Sequence, residues 1–190
     1  MIVRILGIDP GSVVCGYGVI DTDGSKLTLV EYGVIAVKRR NLSFPERLRD
    51  IHERMSAVIE RTKPDVCAME KVFHAKNVLS VVQLAHARGV AMLSCAQAGH
   101  SPLEYTPMQV KRSVTGRGAA TKEQVQHMVQ AILSIHETPQ FFDATDALAV
   151  AICHAVNGKP PAPGKRSAAT SKRQAWKDFV TANPTRVRKS

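Results

Sequence analysis

With 190 residues, 44% of them hydrophobic, the chain is long enough for one domain of ordinary size with a substantial core, and for a tail besides. It contains no uninterrupted apolar run of about 18 residues, and Met1-Ile2-Val3-Arg4 enters strand-like sequence without a signal-peptide pattern, so a soluble, cytoplasmic protein is expected. The formal net charge of +10 is concentrated in residues 157–190, where nine Lys or Arg face one Asp; such an excess favours a polyanionic partner, either nucleic acid or an acidic membrane surface.

Arg4-Ile5-Leu6-Gly7-Ile8 reads as a buried strand that stops at Asp9, with Pro10-Gly11 turning the chain. Cys15 to Ile20 resumes extended character, so the two runs form a hairpin that displays Asp9 near its mouth. After the turn at Asp21-Thr22-Asp23-Gly24-Ser25, residues 27–37 supply a third strand and complete an antiparallel meander. Ser43-Phe44-Pro45-Glu46 has the form of a capping box, and Leu48, Ile51, Met55, Val58 and Ile59 follow at helical spacing to about Thr62.

Lys63-Pro64-Asp65 breaks that helix, and Val66-Cys67-Ala68-Met69 is a short apolar run ending in Glu70, the pattern already seen at Asp9. A strand reached through a helical crossover is most simply parallel to its neighbour, which brings Glu70 to the same sheet edge as Asp9. A long apolar helix over about 78–98 follows, expected to be a buried central element, and then a short strand at Leu103-Glu104-Tyr105. Thr106-Pro107-Met108-Gln109 and Thr121-Lys122-Glu123-Gln124 are two further capping boxes; the second opens a helix with Val125, Met128, Val129, Ile132 and Leu133 inward.

The last helix begins at Asp143, with Asp146 three residues on, so both carboxylates share one face near its start. Acids in a first turn also complement the helix dipole, so this pair has a bland explanation of its own. Cys15, Cys67, Cys95 and Cys153 are scattered without CxxC or Cys/His zinc spacing; four reduced thiols are expected, and Cys153-His154 reads as the end of a buried helix. Beyond Asn157 the Pro/Gly-rich and basic sequence lacks apolar periodicity and is expected to be a disordered tail over residues 158–190, next to a domain over residues 1–157.

This order of elements, with acids ending strands one and four and opening the last helix, is that of an α/β ribonuclease H-like fold: a five-stranded mixed sheet flanked by helices. The chain resembles the RuvC-type Holliday-junction resolvases through Gly7-Ile8-Asp9-Pro10-Gly11, Met69-Glu70-Lys71-Val72-Phe73, Ala75-Lys76-Asn77, Gln109-Val110-Lys111, Gln124 to Met128 and Asp143 to Ala149, over roughly residues 2–157. The resemblance implies that Asp9, Glu70, Asp143 and Asp146 form an acidic tetrad holding two Mg²⁺ ions, with Mn²⁺ able to replace them. Hard cations of this kind take oxygen ligands. It further implies that Lys111 and Lys122 lie near the scissile phosphate, and that Phe73 stacks on a base at the junction crossover. Lys76, Arg112 and Arg117 are further candidates for DNA contact. The activity implied is paired, symmetric nicking of opposed strands of a four-way junction, leaving 5′-phosphate and 3′-hydroxyl ends, by a homodimer to which the long helix over 78–98 is expected to contribute, which works with a branch-migration complex and needs no membrane.

Three other readings stay open on sequence. Asp9-Pro10-Gly11 followed by Gly16 and Gly18 also looks like the phosphate loop of an actin-like or sugar-kinase-like ATPase, although such enzymes need a second domain that 190 residues do not supply. A non-catalytic junction-binding scaffold of the same fold is a second. A nuclease of this fold acting on RNA–DNA hybrids or other branched DNA is the third.

Overall fold

Strand parity decides which face of the sheet Asp9 and Glu70 can occupy. The computed structural model describes residues 1–37, 42–71, 77–136 and 142–158, within a compact unit spanning Met1–Gly158. Its elements run β1 (Val3–Asp9), β2 (Val14–Thr22), β3 (Leu27–Ala36), α1 (Phe44–Thr62), β4 (Val66–Glu70), α2 (Val78–Gln97), β5 (Leu103–Tyr105), α3 (Pro107–Thr115), α4 (Lys122–Leu133) and α5 (Phe142–Asn157). The five strands form one mixed sheet in the order β3-β2-β1-β4-β5. The β1–β2 and β2–β3 pairs are antiparallel; β4 lies parallel to both β1 and β5. This is the ribonuclease H-like arrangement.

Successive side chains of a strand point to opposite faces of the sheet. Ile5, Ile20, Val66 and Ala68 join a core made with α3, α4 and α5, whereas Leu6, Ile8, Val19, Cys67 and Met69 join a second core with α1 and α2. Counting on by two from Ile5 and Ala68 places Gly7, Asp9 and Glu70 on the α5 side. The sheet is therefore covered on both faces, and Asp9 and Glu70 emerge on only one of them.

The helix starts follow from local chemistry. Ser43, Thr106 and Thr121 each form a capping box with Glu46, Gln109 and Gln124, which satisfies free amides in the first turns of α1, α3 and α4. Gly116 closes α3 in the left-handed region at φ 74°, a conformation that favours glycine.

Two burial expectations need correction. Met128 is 37% exposed rather than inward, because α4 meets the core through Val125, Val129 and Leu133, and the residue before Val129 falls at the edge of that stripe. The long helix α2 is not a buried central element: it packs on α1 through Ala87, Ala91 and Cys95, while Val78, Leu79, Val81, Val82 and Leu93 face outward. By length and mean hydropathy α2 could cross a membrane, yet its Arg88 forms an ion pair with Glu104 of β5.

Candidate active site

Asp9 is the last residue of β1, and the register Ile8↔Met69 sets it beside Glu70, the last residue of β4. The turn after Asp9 is tight: a Cβ on Gly11 would lie 1.8 Å from the Val14 carbonyl oxygen, so only glycine fits there. Across the β1–β2 ladder, Asp9 pairs with Gly16 and Gly7 with Gly18. Those three glycines form the floor on which α5 rests. A Cβ on Gly16 would lie 1.9 Å from the Asp143 carbonyl oxygen, one on Gly7 2.1 Å from that of Ala147, and one on Gly18 2.7 Å from the Leu148 side chain. The missing side chains let α5 approach the sheet closely, and its first turn carries Asp143 and Asp146 to the end where Asp9 and Glu70 emerge.

The electrostatics register that convergence. The Asp9 carboxyl is held well above the usual carboxylate range, first by burial and then by the charges of Glu70, Asp146 and Asp143, with Lys122 acting in the opposite sense. Glu70 is also raised, by burial and then by Asp146, and this is moderated by Lys122, by a hydrogen bond with Asp9 and by Lys111. All four acids and both lysines singled out in the sequence therefore act on Asp9, on Glu70 or on both, although they come from β1, β4, α3, α4 and α5.

Lys122 stands in the first turn of α4, and its Nζ donates to Asp146 Oδ2 at 2.8 Å. Burial works against the ammonium, but the Asp146 hydrogen bond and the fields of Asp146, Asp9 and Asp143 outweigh it, so the Lys122 pKa lies above its ordinary value. The Thr121 cap anchors this turn, with its hydroxyl accepting from the Gln124 amide at 3.3 Å. Arg112 and Arg117 are exposed, on α3 and on the loop after it. Phe73 and Lys76 lie outside the described residues.

Among the described residues, no three His, Cys, Asp or Glu side chains stand as a ready-made ligating cluster, and Asp146 is turned toward Lys122. The donor set nevertheless suits a hard divalent cation: four carboxylates with no thiol or imidazole among them, with Asp9 and Glu70 raised first by burial and then by neighbouring acids. Two unit charges about 4 Å apart repel by about 4 kcal/mol at an effective dielectric of about 20, and a cation offsets that repulsion.

Two features were missed in the sequence. Gly16-x-Gly18 resembled a phosphate loop, but both residues lie inside β2 and serve close helix packing; glycines spaced two apart within an apolar run were the available signal. His154 is buried at the end of its helix, as its sequence context implies, but its contact with β5 carries no sequence signal: its Nδ1 is 2.7 Å from the Tyr105 hydroxyl, which ties α5 to β5. Burial lowers its pKa below the ordinary imidazole value. The four cysteines are free and buried, as expected.

A mixed five-stranded sheet of this order, with carboxylates converging from two parallel strand ends and a covering helix, defines a nuclease of the ribonuclease H-like class. Residues 5–154 match the family model described as crossover junction endodeoxyribonuclease RuvC, and the chain belongs to that family. It is 49% identical over 152 residues to the crossover junction endodeoxyribonuclease RuvC of Geobacter sulfurreducens, covering 80% of this chain and 92% of the relative. It is 43% identical over 156 residues to that of Finegoldia magna, covering 82% and 94%. The structure of Thermus thermophilus RuvC in complex with a Holliday junction substrate superposes with a TM-score of 0.76 at 34% identity, covering 81% of this chain and 93% of that one. The family consists of metal-dependent nucleases.

Proposed function

We propose that this chain resolves Holliday junctions, hydrolysing one phosphodiester in each of two opposed strands through a centre built from Asp9, Glu70, Asp143 and Asp146. The observation that supports this reading is the arrival of Asp9 and Glu70 at one sheet end beside the first turn of α5, where burial first and then the neighbouring acids raise both carboxyls above their ordinary values. The four carboxylates would hold divalent metal, two Mg²⁺ per site, with Mn²⁺ able to substitute. Bound there, the metal supplies a water nucleophile active at neutral pH and stabilises the leaving 3′-oxygen.

The remaining work falls to side chains of this chain. Lys122, kept cationic by Asp146, places an ammonium where charge grows on the phosphoryl oxygens, and Lys111 adds a second positive field from α3. Asp146 orients the Lys122 ammonium, and the Thr121 cap fixes the turn that carries it. Phe73, shortly after Glu70, stacks on a base at the crossover; such stacking contributes about 1–3 kcal/mol. Arg112, Arg117 and Lys76 contact backbone phosphates, and the basic residues beyond a domain at 1–157 add non-specific affinity.

A two-fold junction calls for a two-fold enzyme. The outward face of α2, with Val78 79% and Leu79 66% exposed, supports homodimer formation through that helix. Action on chromosomal junctions places the protein in the bacterial cytoplasm, in company with a branch-migration complex.

The test is gel-resolved cleavage of a synthetic mobile four-way junction, against duplex and RNA–DNA hybrid of matching sequence, with and without Mg²⁺. Paired, ligatable nicks in the junction alone and only with metal are expected. Tight junction binding without cleavage would favour a scaffold, and equal cutting of hybrid would favour a general nuclease.

A further inference from the structure

We infer that Gly16 is a positioning residue of the active centre: the side chain it lacks is what allows the first turn of α5 to carry Asp143 to Asp9. The inference rests on the tetrad reading above and extends it to a residue that has no side chain of its own to offer.

Three observations carry it. Gly16 is the ladder partner of Asp9, so it lies directly beside one of the acids. The atoms a Cβ would meet are backbone atoms of another: Asp143 O at 1.9 Å, Asp143 C at 2.5 Å and Ala144 N at 3.2 Å. Backbone atoms of a helix cannot rotate aside as a side chain can. To restore an ordinary contact of at least 3.4 Å, the start of α5 must retreat by about 1.5 Å. Gly18, one pleat further along the same face, would meet the Cγ and Cδ2 atoms of Leu148 at 2.7 Å each and the Leu148 backbone nitrogen at 2.9 Å, so a Cβ there also presses on α5, but by less than one at Gly16.

The other face of β2 provides a control. Val19 is fully buried in the core with α1 and α2, so Val19→Ala disturbs the same strand without pushing on α5. A displacement of about 1 Å in a catalytic constellation costs on the order of 100-fold in rate. Gly16→Ala should therefore lower single-turnover junction cleavage about 100-fold and weaken Mn²⁺ binding at least about tenfold, leaving metal-free junction affinity within about twofold of the native value. Val19→Ala should lower the melting temperature while Mn²⁺ binding stays native.

The experiment uses the full chain and reads bound against free Mn²⁺ by electron paramagnetic resonance, alongside junction binding, cleavage and thermal melting. Native Mn²⁺ binding in folded Gly16→Ala would overturn the inference, as would an equal loss in Val19→Ala, which would mark a stability effect. Should Gly16→Ala fail to fold, Gly18→Ala is the milder probe: a smaller loss of Mn²⁺ affinity is expected, and an unchanged affinity overturns the inference. Asp143→Asn separates the two levels of the account. If it cuts and binds Mn²⁺ like the native protein, the tetrad reading falls and the positioning role with it; if it is inert while Gly16→Ala behaves as native, only the positioning role falls.

Discussion

Helices α5 and α2 are both long and rich in small and aliphatic residues, yet the sheet treats them differently. From Ala144 to His154, α5 is buried at every residue but Asp146, because Gly7, Gly16 and Gly18 remove the side chains that would hold it away. Helix α2 meets its neighbours chiefly through Ala87, Ala91, Ser94 and Cys95 and leaves five large aliphatic residues outward. Apolar composition alone therefore does not locate a helix; the receiving surface does. A glycine floor makes α5 an internal fixture that carries two carboxylates, whereas α2 leaves an apolar face exposed.

The sharpest way to break this comparison is at the acids that α5 delivers. Asp146→Asn should reduce single-turnover cleavage by roughly 10³-fold, and Lys122→Ala by roughly 10²-fold, within the range for loss of one preorganised electrostatic contact. Quenched-flow or manual single-turnover assays read both, and a loss under tenfold in Asp146→Asn would detach α5 from the chemistry. Leu148→Ala, in the fully buried interior of α5, should cost about 2–5 kcal/mol in denaturant unfolding. Leu79→Glu on exposed α2 should leave the circular dichroism of the fold intact and weaken self-association at least about tenfold in sedimentation, a change of about 1.4 kcal/mol. Unchanged association would assign the apolar face of α2 to something other than a second copy.

The smallest effect lies at the far end of the β1–β2 ladder. Arg4 donates from Nε and Nη2 to the two carboxylate oxygens of its ladder partner Asp21, at 2.8 and 2.9 Å, and from Nη1 to the Thr62 carbonyl at 2.9 Å. The Arg4 hydrogen bonds hold the Asp21 carboxyl below its usual value, with burial opposing and the Arg4 charge assisting. Because the folded pKa is depressed, its stabilisation is full above the unfolded value near 3.9 and is lost as pH falls through the folded pKa. With Arg4 over a third exposed, Asp21→Asn should cost no more than about 1 kcal/mol at pH 7 and progressively less as pH falls through the folded pKa of Asp21, with cleavage unchanged. A pH-independent loss of stability would assign Asp21 a packing role instead.

Much of this was legible in the sequence because it depends on local chemistry. Asp-Pro-Gly after an apolar run, the three capping boxes, and Glu70 after a helical crossover each fix an element end, and strand period two then assigns a face. The resemblance supplied Lys111 and Lys122; in the fold the charge of Lys122 acts on Asp9 and Glu70 and that of Lys111 on Glu70. What the sequence hid depends on surfaces that only folding creates. Met128 sits at helical spacing but outside the arc that the sheet covers, and the apolar residues of α2 show no sign of what meets them. Tyr105 and His154 are 49 positions apart, so no periodicity links them. Gly16 and Gly18 looked like a loop motif because a glycine reports the absence of a side chain without saying which neighbour uses the space.

The central claim is that acids delivered by β1, β4 and α5 form one junction-cutting centre, and Asp9→Asn tests it most directly on a mobile four-way junction with Mg²⁺. The account predicts native junction affinity and a native melting temperature or higher, since the burial and repulsion that raise Asp9 are relieved, together with no detectable nicks. Cleavage at the native rate, or loss of junction binding along with the fold, would contradict it.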